Sequence, residues 1–247
     1  MSLQGKIALV TGGSRGIGAA IVRQLASQGA AVAFTWSASE DRAKALVAEL
    51  AATGAVVRGY QADQGNVEQA SKLVDRVLAD FGKLDILVNS AGVFLGGVIG
   101  DASRDPAIQA RQWAVNVHGV VATVHAAAAR LSDGGRILTI GSILGERSPW
   151  PGLADYSATK AALVAYARGW SRELGGRGIT VNVVQPGPIE TEMNPDQGEM
   201  ADAQRGMTAL GRFGKPEEIA AVVGFLAGPG GSFVTGTSIT VDGGVGA

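Results

Sequence analysis

The stretch Ile7-Ala8-Leu9-Val10-Thr11-Gly12-Gly13-Ser14-Arg15-Gly16-Ile17-Gly18 decides the reading of this 247-residue chain. Four consecutive apolar residues predict a buried strand over 7–10. The glycines that follow predict a tight turn into a helix beginning near Ile17. Such a turn lets backbone N–H groups come close to a pyrophosphate, and the helix N-terminus adds partial positive charge. Gly12, Gly16 and Gly18 supply the turn, and Ser14, Arg15 and Ile17 fall on the same predicted phosphate-facing surface.

Working outward, short β-branched runs alternate with Ala-rich segments of helical period. Strands are expected at 7–10, 32–34, 56–57, 84–88, 136–140, 180–184 and 238–241. Helices are expected at 16–28, 39–53, 66–81, about 104–131, 154–174 and 216–227. Strands apolar on both faces and separated by helices imply parallel pairing through right-handed crossovers. The expected fold is therefore a single-domain α/β doubly wound (Rossmann) sheet of about seven strands with helices on both faces, spanning 1–247. The stretch from about 186 to 213 has no clear period and carries Pro186, Pro188 and Pro195. Irregular segments of this length usually form lids or binding loops, so 188–212 is the expected substrate loop.

Composition narrows the function classes. A net charge of −1 argues against nucleic acid or an anionic membrane as partner. The absence of cysteine removes disulfide and thiolate chemistry. No run approaches the ~20 apolar residues of a membrane span, and the first residues lack a signal-like apolar run, which together suggest a cytoplasmic protein.

The second strand indicates which dinucleotide is expected. An NAD site usually offers a carboxylate there for the ribose 2′-OH. Here the strand runs Phe34-Thr35-Trp36-Ser37-Ala38, with no acid before Glu40. That absence, with Arg15 in the glycine turn, favours NADP(H) over NAD(H), because a carboxylate would repel a 2′-phosphate and a guanidinium would bind it.

The chemistry is expected at Tyr156-Ser157-Ala158-Thr159-Lys160. Residues four apart share a helix face, so Tyr156 and Lys160 can project into one cavity. An ordinary phenol titrates near 10; a neighbouring ammonium would lower it and suit it to general acid/base work. Ser142 ends a strand at the ligand edge, where its hydroxyl can meet a substrate oxygen beside Tyr156. Asn89 follows another strand at that edge. Asn116 lies within a long apolar helix, where its amide either holds a water relay or only bonds neighbouring elements.

Taken together, these motifs resemble the short-chain dehydrogenase/reductase family along essentially the whole chain. The family's glycine motif corresponds to Gly12, Gly16 and Gly18. Its Asn-Asn-Ala-Gly motif corresponds to Asn89-Ser90-Ala91-Gly92, with Ser90 as a departure, and its catalytic set to Asn116, Ser142, Tyr156 and Lys160. The resemblance implies cofactor contacts from Trp36, Ser37, Asp63, Gln64, Asn89, Ala91, Gly92, Tyr156, Lys160, Pro186, Gly187, Ile189 and Thr191. Asp63 would meet the adenine, and Thr191 the carboxamide or phosphate.

The resemblance also implies a mechanism and an assembly. Tyr156 would protonate a carbonyl oxygen held by Ser142. Lys160 would lower the phenol and bind the nicotinamide ribose, and Asn116 would position a water. The substrate would be a small or medium carbonyl or alcohol, and the assembly a homotetramer paired through the long Ala-rich helices. Within the family, the chain resembles 3-oxoacyl-acyl-carrier-protein reductases and a branch described as cyclic-di-GMP-binding and biofilm-dispersing. Nucleotide sensing without turnover is the second reading. The 142–156 stretch is one residue longer than the commonest family spacing.

His118 and His125 are seven apart on one expected helix, roughly 10 Å along its axis, which is too far for two ligands of one metal. No metal is expected. Met193, Met200 and Met207 either line the substrate pocket or anchor the irregular segment, and Trp150 either walls the pocket or serves an oligomer contact.

Overall fold

A computed structural model describes residues 2–247. Its centre is a parallel sheet of β1 (Ile7–Thr11), β2 (Ala31–Trp36), β3 (Val57–Gln61), β4 (Leu84–Asn89), β5 (Leu131–Ile140), β6 (Thr180–Pro186) and β7 (Ser238–Val241). The spatial order is β3-β2-β1-β4-β5-β6-β7. Chain direction across the sheet reverses between β1 and β4, which pair in register from Ala8↔Ile86 to Thr11↔Asn89. A crevice opens at the carboxyl ends of strands flanking such a switch point, because the crossovers leave toward opposite faces.

Two helical layers cover the sheet because both faces of its strands are apolar. On one face, α1 (Gly16–Ser27), α2 (Glu40–Ala51) and α8 (Pro216–Ala227) pack Val22, Leu46 and Val223 against Val10, Phe34 and Leu138. On the other, α3 (Val67–Phe81), α5 (Gly119–Ala128) and α6 (Ala154–Leu174) pack Leu73, Val124 and Leu163 against Leu9, Leu87 and Val181. Alternation along the strands sends Val10 to one core and Leu9 to the other.

The structure departs from the sequence expectations in three places. Strand β3 runs to Gln61 instead of stopping at Val57, with Arg58 and Gly59 exposed. It is an edge strand, so backbone pairing with β2, not apolar content, sets its length. The helix expected over 104–131 is divided: α4 (Pro106–Trp113) leads into a π-helical turn (Ala114–His118) and then α5, and the chain is already in β5 at Leu131. Asn116 thus lies in a π turn, not a regular α-helix. Within 186–213, Glu199–Met207 forms a further helix, α7, which buries only Ala201 and so shows little apolar period. The rest of that segment is tied back by Glu190 N–H to Gly214 O (2.9 Å) and Gly214 N–H to Pro188 O (2.9 Å).

Candidate active site

The glycine turn is held open from both sides. Gly12 N–H donates to Thr35 Oγ1 and Gly13 N–H to Thr35 O, at 2.9 and 2.8 Å. Thr11 Oγ1 accepts from the N–H groups of Ser90 and Ala91, each at 3.1 Å, which joins the ends of β1 and β4. Gly12 has φ +67°, and a Cβ there would lie 2.8 Å from Ala91 Cα. A Cβ on Gly18 would lie 2.1 Å from Gly12 O, so only glycine lets α1 start this close to the strand. Arg15 at the N-cap offers no side-chain cap, which leaves the first N–H groups of α1 open toward the cleft.

The cleft occupies about 970 Å³ at the carboxyl edge of the sheet. Gly12, Ser14, Arg15, Gly16, Ile17 and Gly18 line its phosphate end. Trp36, Ser37, Asp63 and Gln64 line the side toward β2 and β3, and Ala91, Gly92, Pro186, Gly187, Ile189 and Thr191 line the opposite side. Asn89 stands apart: it is 1 % exposed, does not line the cleft, and reaches Thr139 Oγ1 at 3.4 Å. Its successor Ser90 lines the cleft instead. Asp63 takes both terminal nitrogens of Arg111 at 2.8–2.9 Å, and that ion pair holds its carboxyl below the usual range. Uncapped helix N–H groups, glycines without room for a Cβ and an elongated cleft together fit a dinucleotide.

Ser142, Tyr156 and Lys160 meet deeper in the same cleft. Tyr156 and Lys160 lie in the first two turns of α6, one turn apart, and Ser142 follows β5. Lys160 is 6 % exposed; its Nζ donates to Ile140 O at 2.9 Å and stands 5.6 Å from the centre of the Tyr156 ring. Burial pulls the Lys160 ammonium down to about 8. Burial likewise pushes the Tyr156 phenol up to about 12, and the Ser142 hydroxyl is the one neighbour that opposes this. The expectation of a lowered phenol is therefore corrected for the free protein: Lys160 faces the ring and Ile140 O, and desolvation sets the direction. Tyr156 thus holds its proton at neutral pH, and donation from it needs a cation nearby to stabilise the phenolate.

Asn116 is 1 % exposed, and its amide is fully engaged. Oδ1 accepts from Val93 N–H at 2.9 Å; Nδ2 donates to Val93 O at 2.9 Å and to Thr159 Oγ1 at 3.2 Å. The π turn thus clamps the strand exit after β4 to α6. A Cβ on Gly92 would sit 3.5 Å from Asn116 Oδ1 and 3.6 Å from Lys160 Nζ, so this glycine keeps open the space between the two groups.

The walls beyond Tyr156 are apolar. Trp150, Met193, Met200 and Met207 all line the cleft, and Phe94 meets the Tyr156 ring edge-on at 5.1 Å. His118 and His125 lie elsewhere, in a shallow surface depression beside Tyr166. Phe94, Arg147 and Glu192 also line the cleft; they fall in the segments 93–100, 144–153 and 188–212 from which the sequence places the pocket wall, without being singled out there. Sequence reasoning passed over Arg42, which bonds Glu192 from the first turn of α2. Only proximity in space marks these residues, since none belongs to a spaced motif.

Comparison with known proteins agrees with this geometry. The pattern of the family described as enoyl-(acyl carrier protein) reductase matches residues 12–246. The chain is 46% identical over 244 residues to the cyclic-di-GMP-binding biofilm dispersal mediator protein of Escherichia coli, covering 98% of each. It is 38% identical over 259 residues to the 3-oxoacyl-[acyl-carrier-protein] reductase of Salmonella typhimurium, covering 99% of each. A short chain dehydrogenase from Burkholderia cenocepacia, solved in complex with NADP, superposes with a TM-score of 0.97 at 47% identity over 100% of both chains. The chain belongs to the short-chain dehydrogenase/reductase family of oxidoreductases.

Proposed function

We propose that this protein is an NADP(H)-dependent carbonyl reductase that acts on small or medium carbonyl compounds, with Tyr156 as the proton donor. The observation that carries the reading is the convergence of Tyr156, Ser142 and Lys160 on an apolar chamber at the inner end of a dinucleotide-shaped cleft. A bound nicotinamide cofactor supplies the hydride, and the protein contributes orientation and electrostatics. Ser142 holds the substrate oxygen by a hydrogen bond. Tyr156, protonated in the free protein, donates to that oxygen as negative charge develops on it. Lys160, charged below about pH 8, stabilises the phenolate left behind. Asn116 keeps α6 in register with the exit of β4. The Tyr156 phenolate would take a proton back from Lys160, and a water near Gly92 would in turn reprotonate Lys160. The lack of an acid at the end of β2, with Arg15 and Arg42 nearby, supports NADP(H) over NAD(H).

The test is a panel of ketones and acyl thioesters with NADPH. Wild type should oxidise NADPH with at least one of them. Tyr156→Phe should lose at least about 100-fold in kcat and bind NADPH within about twofold of wild type. Near-normal turnover by that variant would remove Tyr156 from the mechanism. A second reading, nucleotide sensing, draws on the relative named for cyclic-di-GMP binding. No turnover across the panel, together with tight binding of cyclic di-GMP, would favour it.

A further inference from the structure

Six charged side chains line the cleft: Arg15, Asp63, Arg111, Arg147, Lys160 and Glu192. Asp63 is taken by Arg111, Lys160 by Ile140 O, and Arg147 by the Gly246 carbonyl. The remaining carboxylate, Glu192, belongs to the tight turn from Thr191 to Asn194 that opens the substrate segment. It reaches back to the cofactor end, where Oε2 accepts from Arg15 Nη1 at 3.2 Å and Oε1 accepts from Arg42 Nη1. Arg15 stands on the glycine turn and Arg42 on the first turn of α2. Neither guanidinium has another hydrogen-bond partner among the described residues. Between these two elements lie Trp36, Ser37, Ala38 and Ser39, where the cleft receives the adenosine side of a dinucleotide.

Two arginines from separate elements, joined by one carboxylate with an oxygen for each, form a two-point anion site filled by the chain itself. The hydrogen bond from Arg42, then that from Arg15, holds Glu192 below the usual carboxylate range, so it is ionised throughout the neutral range. We propose that Glu192 stands in for the 2′-phosphate of NADP(H): it gathers Arg15 and Arg42 in the free protein and gives them up when the phosphate arrives. This rests on reading the cleft as an NADP(H) site. A phosphate carries more negative charge and offers more acceptor oxygens than a carboxylate, so it wins the exchange, but it must first displace Glu192. Glu192 thereby sets the affinity for the phosphorylated cofactor without touching NADH. Its release also frees the turn that carries Met193 into the substrate chamber, which links the adenosine end to the reacting end.

All three side chains are about half exposed, so the competition is modest, in the range of roughly three- to tenfold. Titration calorimetry of NADPH, NADH and 2′,5′-ADP against wild type and Glu192→Gln tests it at one fixed salt concentration. Glu192→Gln should bind NADPH and 2′,5′-ADP three- to tenfold more tightly and NADH within twofold of wild type. Arg42→Gln should weaken 2′,5′-ADP. Unchanged or weaker binding of 2′,5′-ADP by Glu192→Gln would overturn the proposal. Equal tightening for NADH would overturn it too, because the variant would then be opening the cleft generally. Failure of the NADP(H) reading shows separately, as a wild type that does not prefer NADPH. The proposal turns on the ratios of Glu192→Gln to wild type for 2′,5′-ADP and for NADH.

Discussion

At the scale of single residues, Lys160 carries the largest internal cost in the site. It is 6 % exposed, and burial brings its ammonium to about 8 from an ordinary 10.5. A cation whose folded value is lowered weakens the fold most where it is charged in both states, below about pH 8. The burden lifts as pH rises from about 8 toward 10.5, because the folded form then holds fewer protons than the unfolded one. Lys160→Met removes that burden while filling similar volume. Its stability relative to wild type should therefore be higher at pH 7 than at pH 9.5, by roughly 2 kcal/mol in denaturant melts. A difference that stays constant between the two pH values would show that Lys160 is not desolvated. The same variant should lose both NADPH binding and turnover, since one ammonium serves both. Tyr156, Lys160 and Ser142 were legible in the sequence because helix period and strand ends place such residues without knowledge of the whole fold. Arg42 and Glu192 were not: they are 150 residues apart and meet only through packing of α2 against the turn after β6.

At the scale of elements, the π turn at Ala114–His118 is the feature the sequence concealed. Its apolar residues keep a helical period, and nothing in the side chains announces one wider turn. The turn matters because it carries Asn116, whose amide satisfies both backbone groups of Val93 and so fixes the segment that leads to Phe94. Asn116→Ala should leave that N–H and carbonyl unpaired and lower stability by roughly 1–3 kcal/mol. Activity should fall with it, because Val93 adjoins Gly92 and the space between Asn116 and Lys160. Asn116→Asp should still accept from Val93 N–H but cannot donate to Val93 O, so its loss should be intermediate. Equal stability for wild type and the alanine variant, measured by thermal unfolding, would contradict the clamp. The strands and most helices were readable because β-branched runs and Ala-rich periods alternate cleanly. Helix α7 was missed because its burial rests on Ala201 alone.

At the scale of the whole molecule, each helical layer leaves large apolar side chains exposed. On the α3–α5–α6 face, Tyr166 (39 % exposed) and Val67 (50 %) border the depression that holds His118 and His125. On the opposite layer, Phe225 of α8 is 55 % exposed, and Phe233, in the chain leading to β7, is fully exposed. We propose that each patch pairs with its own copy about a two-fold axis. Two such axes that are perpendicular and intersect close into the homotetramer that the family resemblance implies. Single substitutions separate the two surfaces experimentally. Tyr166→Glu would bury a charge at one interface only, so light scattering should report dimers, and Phe225→Glu should report dimers of the other kind. The double variant should be monomeric. A monomeric wild type, or single variants that still give the four-chain mass, would show that these patches do not pair copies of the chain.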